Sequence, residues 1–146
     1  MITKNIAIAS LTAVSALTFA HNGATGVVKE RMDAMEAIGD ANLKLTAISR
    51  GREAFDLDIV VASAQTIAQH SGESLLALFP EGSLDEKSES RAAIWEDWSE
   101  FSSLAYGLET TAKELSQISD ESEFNVKFRA MAKNCGGCHQ SFRAKK

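Results

Sequence analysis

Apolar side chains recur along this chain at spacings of three and four, the period of an amphipathic helix rather than the alternation of a strand. From Thr25 to Arg50 they fall at Val28, Met32, Met35, Ile38, Leu45 and Ile48, and Gly51 supplies a stop. A second stretch from Glu53 to Gln69 carries Leu57, Val61, Ala64 and Ala68, closed by His70-Ser71-Gly72. A third begins near Ser90 with Ile94, Trp98, Phe101, Ala105 and Leu108, widened by Trp95 and Leu104. The fourth follows Ser119-Asp120, with Ser119 or Ser122 as N-cap and acidic residues in its first turn. Its seam runs Phe124, Phe128, Met131, Cys135, Cys138 and Phe142, spaced with coiled-coil regularity. Residues 72–90 hold the single proline and form the one long connection. Four amphipathic helices of this length predict an all-α fold, an antiparallel four-helix bundle.

Composition agrees with a single globular domain. The chain has 146 residues, 45% hydrophobic and 24% charged. A formal net charge of −5, with no basic run except the terminal Lys145-Lys146, argues against nucleic acid as a partner. The first twenty residues stand apart. Lys4 precedes an uncharged stretch from Ile6 to Phe19, ending at Thr18-Phe19-Ala20. A basic start, an apolar middle and a small-residue exit read as a secretory signal peptide, residues 1–20, ahead of a bundle over 21–146. This 14-residue stretch spans about 21 Å as a helix, short of a ~30 Å bilayer core. The mature form is therefore expected in the periplasm and not spanning the membrane.

The chemistry lies at Cys135-Gly136-Gly137-Cys138-His139. C-x-x-C-H is the attachment motif of c-type haem. The two thiols add across the vinyl groups on one porphyrin edge, and the histidine after the second thiol reaches the iron. Glycines at the two middle positions keep bulk away from the ring. Such attachment needs export, so signal segment and motif support one another. Zinc would need His139 plus the distant His21 or His70 as further ligands. A redox-active thiol pair wants a βαβ context that is absent, and a Cys135–Cys138 disulfide would close a loop too small to stabilise much. Haem c is the reading these residues favour.

A haem motif on the last of four helices resembles the cytochrome c′ family. The matching pieces are Arg31-x-x-x-Met35-x-x-Ile38-Gly39, Phe79-Pro80-Glu81-Gly82, Ile94-Trp95 with Phe101, and Cys135-x-x-Cys138-His139-x-x-Phe142-Arg143. The resemblance implies that His139 is the proximal iron ligand with Arg143 the basic residue near it. It puts Met35 on the distal face and Arg31 at a haem propionate, and it suggests a homodimer paired through the first two helices. Trp95, Phe101 and Phe142 are expected to line the cofactor or the core around it. Met35 is compatible with both branches of the family, one with an open five-coordinate iron and one with a methionine sulfur as sixth ligand. Met32 and Met131 are competing sulfurs, for which core packing is the simple reading.

Two functions follow from that fork. With sulfur on the iron, the chain is a periplasmic c-type cytochrome that carries single electrons between redox partner proteins. With an open iron, it binds nitric oxide or carbon monoxide. No triad or phosphate-cradling loop accompanies the motif, so an enzyme acting on organic substrates is not expected.

Overall fold

The computed structural model describes residues 23–145; the predicted signal segment, residues 1–20, and His21 lie outside them. Helix α1 spans Gly26–Ser49, α2 Leu57–Gln69, the single turn α3 Glu73–Leu76, the single turn α4 Ala93–Glu96, α5 Trp98–Leu115 and α6 Glu121–Phe142. The long helices α1, α2, α5 and α6 form the antiparallel bundle, with α3 and α4 inside the connection between α2 and α5. Around the ring, α1 packs along α2, α2 along α5 and α5 along α6, whereas α1 meets α6 over only a short length. The ring is thus thin on one side.

The core falls into two clusters. One holds Ile38, Leu45, Val60, Ile67, Leu115, Phe124, Phe128 and Met131. The other gathers Leu75, Leu76, Phe79, Ile94, Phe101, Ala105 and Phe142, where the connection covers the C-terminal end of α6. Helix α6 contributes to both because its seam is unbroken from Phe124 to Phe142.

Several element boundaries differ from those predicted. Helix α2 begins at Leu57, not Glu53, because the Asp56 carboxylate accepts from the Ile59 amide at 3.1 Å and fixes the start there. Its buried line is Val60, Ser63, Ala64 and Ile67, so Val61 and Ala68 flank the seam. In α6 the cap is Asp120, which accepts from the Ser122 amide at 2.8 Å, rather than either serine. In α1, Arg31 and Ala34 are buried, while Met32 and Met35 are only half-buried.

The third predicted helix is really two. Asp97 leaves helical geometry at φ −129° and ψ 59°, and its carboxylate accepts from the Glu100 amide at 3.1 Å. A side chain that offers the backbone such a bond ends one helix and starts the next. The break resets the register: Ile94 and Phe101 point inward, and Trp98 is 40% exposed. Asp97→Ala should therefore cost about 1 kcal/mol of stability, and Asp97→Asn less, measured by urea unfolding of the mature protein.

Candidate functional site

Cys135 and Cys138 sit one turn apart on α6, both half-buried and both free thiols. Cys135 packs against the first core cluster and Cys138 against the second. Burial pushes both thiols up. For Cys138, with Cys135 and Glu100 adding to the effect, the pKa is pushed up to about 11. Both are therefore protonated at neutral pH.

The two glycines between them have different surroundings. A side chain at Gly137 would press on Leu104 Cδ2 at 3.3 Å, so this glycine lets α6 lie close to α5. One turn earlier Gly107 of α5 does the same for Asn134, whose Oδ1 would stand 2.7 Å from a Cβ there. Gly136 faces open space. Close packing of α5 on one flank of α6 leaves the other flank, toward α1, as the loosely closed side of the ring.

His139 is exposed, beside a cleft of about 450 Å³ that Arg143, Ala144 and Lys145 complete. Partial burial and the Arg143 charge lower its pKa, against an opposing effect of Glu89. A neutral imidazole keeps a lone pair for a metal. Arg143 bonds Glu89 Oε2 through Nε at 2.7 Å and through Nη2 at 2.5 Å. The connection and the end of α6 are joined further by the backbone. The Arg91 amide donates to Phe142 O at 2.9 Å, and the Ala144 amide to Glu89 O at 2.7 Å.

Arg31 holds the same connection from the other side. Its side chain is buried (4% exposed), with the guanidinium 4.0 Å from the Phe79 ring centre. It donates to Leu78 O (2.8 Å from Nη2), Ser83 Oγ (2.7 Å), Ser83 O, Ser88 Oγ and Ser90 Oγ. All five oxygens are neutral. Burial lowers the pKa of Arg31, while Asp85 acts from a distance to raise it. The serines of residues 83–90 were overlooked as site residues; their signal is a run of hydroxyls in the connection opposite a buried arginine.

Met35, one turn after Arg31, is the one partly buried side chain packed against both core clusters among the described residues. Met131 is fully enclosed in the first cluster, and Met32 belongs to neither. Trp95 donates Nε1–H to Phe79 O at 3.1 Å and packs on the second cluster. Phe101 stands edge-on to Phe79 and Phe142, with centroids 4.8 Å and 5.3 Å away. Arg31, Met35, Trp95, Phe101, Cys138 and Phe142 thus surround the second cluster. His139 and Arg143 lie at its solvent edge, and His70 stands apart as the C-cap of α2.

A family model described as Cytochrome C′ matches residues 26–143. The chain belongs to the cytochrome c′ family. It is 32% identical over 123 residues to cytochrome c-556 of Agrobacterium tumefaciens (strain II Chrys), covering 83% of this chain and 99% of that one. The solved structure of cytochrome c′ from Rhodopseudomonas palustris superposes with a TM-score of 0.78 at 32% identity, covering 84% of this chain and 99% of that one. A nitric oxide complex of a variant cytochrome c prime from Alcaligenes xylosoxidans shares the fold at 21% identity, with a TM-score of 0.72 and coverage of 82% and 94%. Cytochromes of this family carry haem c, and the residues here fit that group. Two unlinked thiols share one helix side, an imidazole kept neutral follows them, and the ring of helices is thin beside them.

Removing the Arg31 clamp should loosen the connection over the site. Arg31→Ala should cost roughly 3 kcal/mol by urea unfolding, and Arg31→Lys should recover only a fraction, since an ammonium cannot span five acceptors.

Proposed function

We propose that this chain is an exported c-type cytochrome that carries single electrons, with His139 and Met35 as the side chains that would ligate its iron. Cys135 and Cys138 hold the porphyrin through thioether bonds. Haem c supplies a one-electron redox centre there. What the protein adds is retention, orientation and a choice of ligand. Covalent attachment keeps an exported protein from losing its cofactor, and a packed helical sleeve limits rearrangement between oxidation states.

The observation that carries the reading is the placement of Met35. Its side chain bridges the two clusters that the two thiols face, whereas Met131 is locked in the core and Met32 packs against neither cluster. Packing against both clusters supports Met35 over the other methionines as the sulfur that would meet the iron, and His/Met ligation would raise the potential into a range suited to electron transfer. Arg31 supports the reading from the porphyrin edge. Its present acceptors are all neutral, so a propionate that displaced one of the serine hydroxyls would give the buried guanidinium the counter-charge it lacks. Trp95, Phe101 and Phe142 supply the apolar wall, and Arg143 a positive charge near the proximal histidine. No enzymatic role is assigned.

Ligation is read from the absorption spectrum of the oxidised protein, which should be low-spin and show a sulfur-to-iron charge-transfer band. Met35→Ala should turn it high-spin, lower the reduction potential and open the iron to carbon monoxide. A wild type that is already high-spin and binds carbon monoxide readily would overturn electron carriage in favour of gas binding.

Attachment is tested separately. Cys135→Ala and Cys138→Ala should each retain less haem than wild type after denaturation in acid and organic solvent. Expression without residues 1–20 should give colourless protein. Full retention of haem in both cysteine variants would remove the thioether assignment.

A further inference from the structure

Beside the second core cluster lies a surface cleft of about 330 Å³ lined by Phe79, Glu81, Trp95 and Trp98. Trp98 is 40% exposed, large apolar surface left in water next to Trp95. The rim is acidic. Residues 81–100 hold seven acidic side chains (Glu81, Asp85, Glu86, Glu89, Glu96, Asp97, Glu100) against Lys87 and Arg91, so the other 126 residues carry thirteen charges of each sign. The whole net charge of the chain is thus concentrated in this stretch. All but Glu89 of the seven are exposed, and Glu89 is committed to Arg143.

The cleft also adjoins the haem motif. The Trp98 ring contacts Phe101 at 5.6 Å between centroids, and Phe101 contacts Phe142, one turn past Cys138. An exposed aromatic with Glu81 beside it, on the most acidic stretch of the chain and in ring contact with Phe101, has the elements of a small interface: an apolar centre and surrounding charge that steers the approach.

We infer that the Trp95–Trp98 cleft, with Glu81, Glu96 and Glu100, docks the basic face of a one-electron redox protein. The inference rests on the electron-carrier reading. Trp98 would make the short-range contact, across which one electron would pass from the reduced haem bound to this chain to the oxidised centre of the partner. Complementary charge acts on encounter rate and falls with salt, while the aromatic centre acts on lifetime.

The test uses the mature haem-loaded protein with mitochondrial-type cytochrome c, a basic one-electron acceptor, as the probe. Binding is measured by calorimetry and electron transfer by stopped flow, at low and at 0.2 M salt. Glu81→Gln/Glu96→Gln/Glu100→Gln should weaken binding and slow transfer about tenfold at low salt and flatten the salt dependence. Asp97 is spared because it caps α5. Trp98→Ala should raise the dissociation rate and keep the salt dependence. A control with the same charge change elsewhere, Asp40→Asn/Glu53→Gln/Glu123→Gln, should stay within about twofold of wild type. Equal weakening by the two triple variants, or wild-type binding by the first, would overturn the docking site. Voltammetry at an electrode reads the carrier role without any partner. A reversible one-electron wave alongside failed docking defeats this inference alone, and absence of the wave defeats the carrier reading as well.

Discussion

The site end of the bundle depends on one buried cation. Residues 77–92, between the single turns α3 and α4, have no regular helix to satisfy their backbone, and yet they cover the second core cluster. Arg31 collects Leu78 O, Ser83 O and three serine hydroxyls onto one guanidinium, and its face rests on Phe79. Taking that charge out of water is costly, and five accepted hydrogen bonds offset the cost. From there the connection reaches the end of α6 through Glu89 and Arg91. The haem-motif helix is therefore tied to α1 by way of the connection, across the one side of the ring where the two helices scarcely touch.

That thin side follows from local geometry on α6. A helix places residues 135 and 138 on one side, and Cys135 and Cys138 extend a seam already drawn by Phe124, Phe128 and Met131. Gly137 and Gly107 let α5 press against the opposite flank. Two adjacent glycines inside a helix cost roughly 1 kcal/mol each, so tertiary packing must hold this segment helical.

How much of this was legible in the sequence follows from where each signal resides. The four long helices, the seam of α6 and the motif are one-dimensional patterns, so periodicity and spacing were enough. The break at Asp97 was hidden because an apolar stripe continues across it from Ile94 to Phe101, and only a side-chain cap divides the helix. Likewise Glu53 looked helical although Asp56 sets the start of α2. At the site, the residues on α1 and α6 could be named in advance. The serines that receive Arg31 could not, because their meaning depends on the connection folding back by 47 to 59 positions in sequence.

Met35 concentrates the functional question in one side chain. Its neighbours along the seam of α1, Ala34, Ile38 and Ala41, are buried and offer only volume. Methionine offers volume and a donor, and three rotatable bonds let it change between these uses without moving the helix. What decides between them is how far the backbone lets the sulfur reach, and that is set by the depth of α1 over the second cluster. Arg31 controls this depth, since it anchors the preceding turn of α1 to the connection and, through Glu89, to the helix of the haem motif. The clamp and the methionine are consequently linked: Arg31 and Met35 lie one turn apart on α1, so whatever fixes that turn against the connection also fixes where the Met35 side chain can reach.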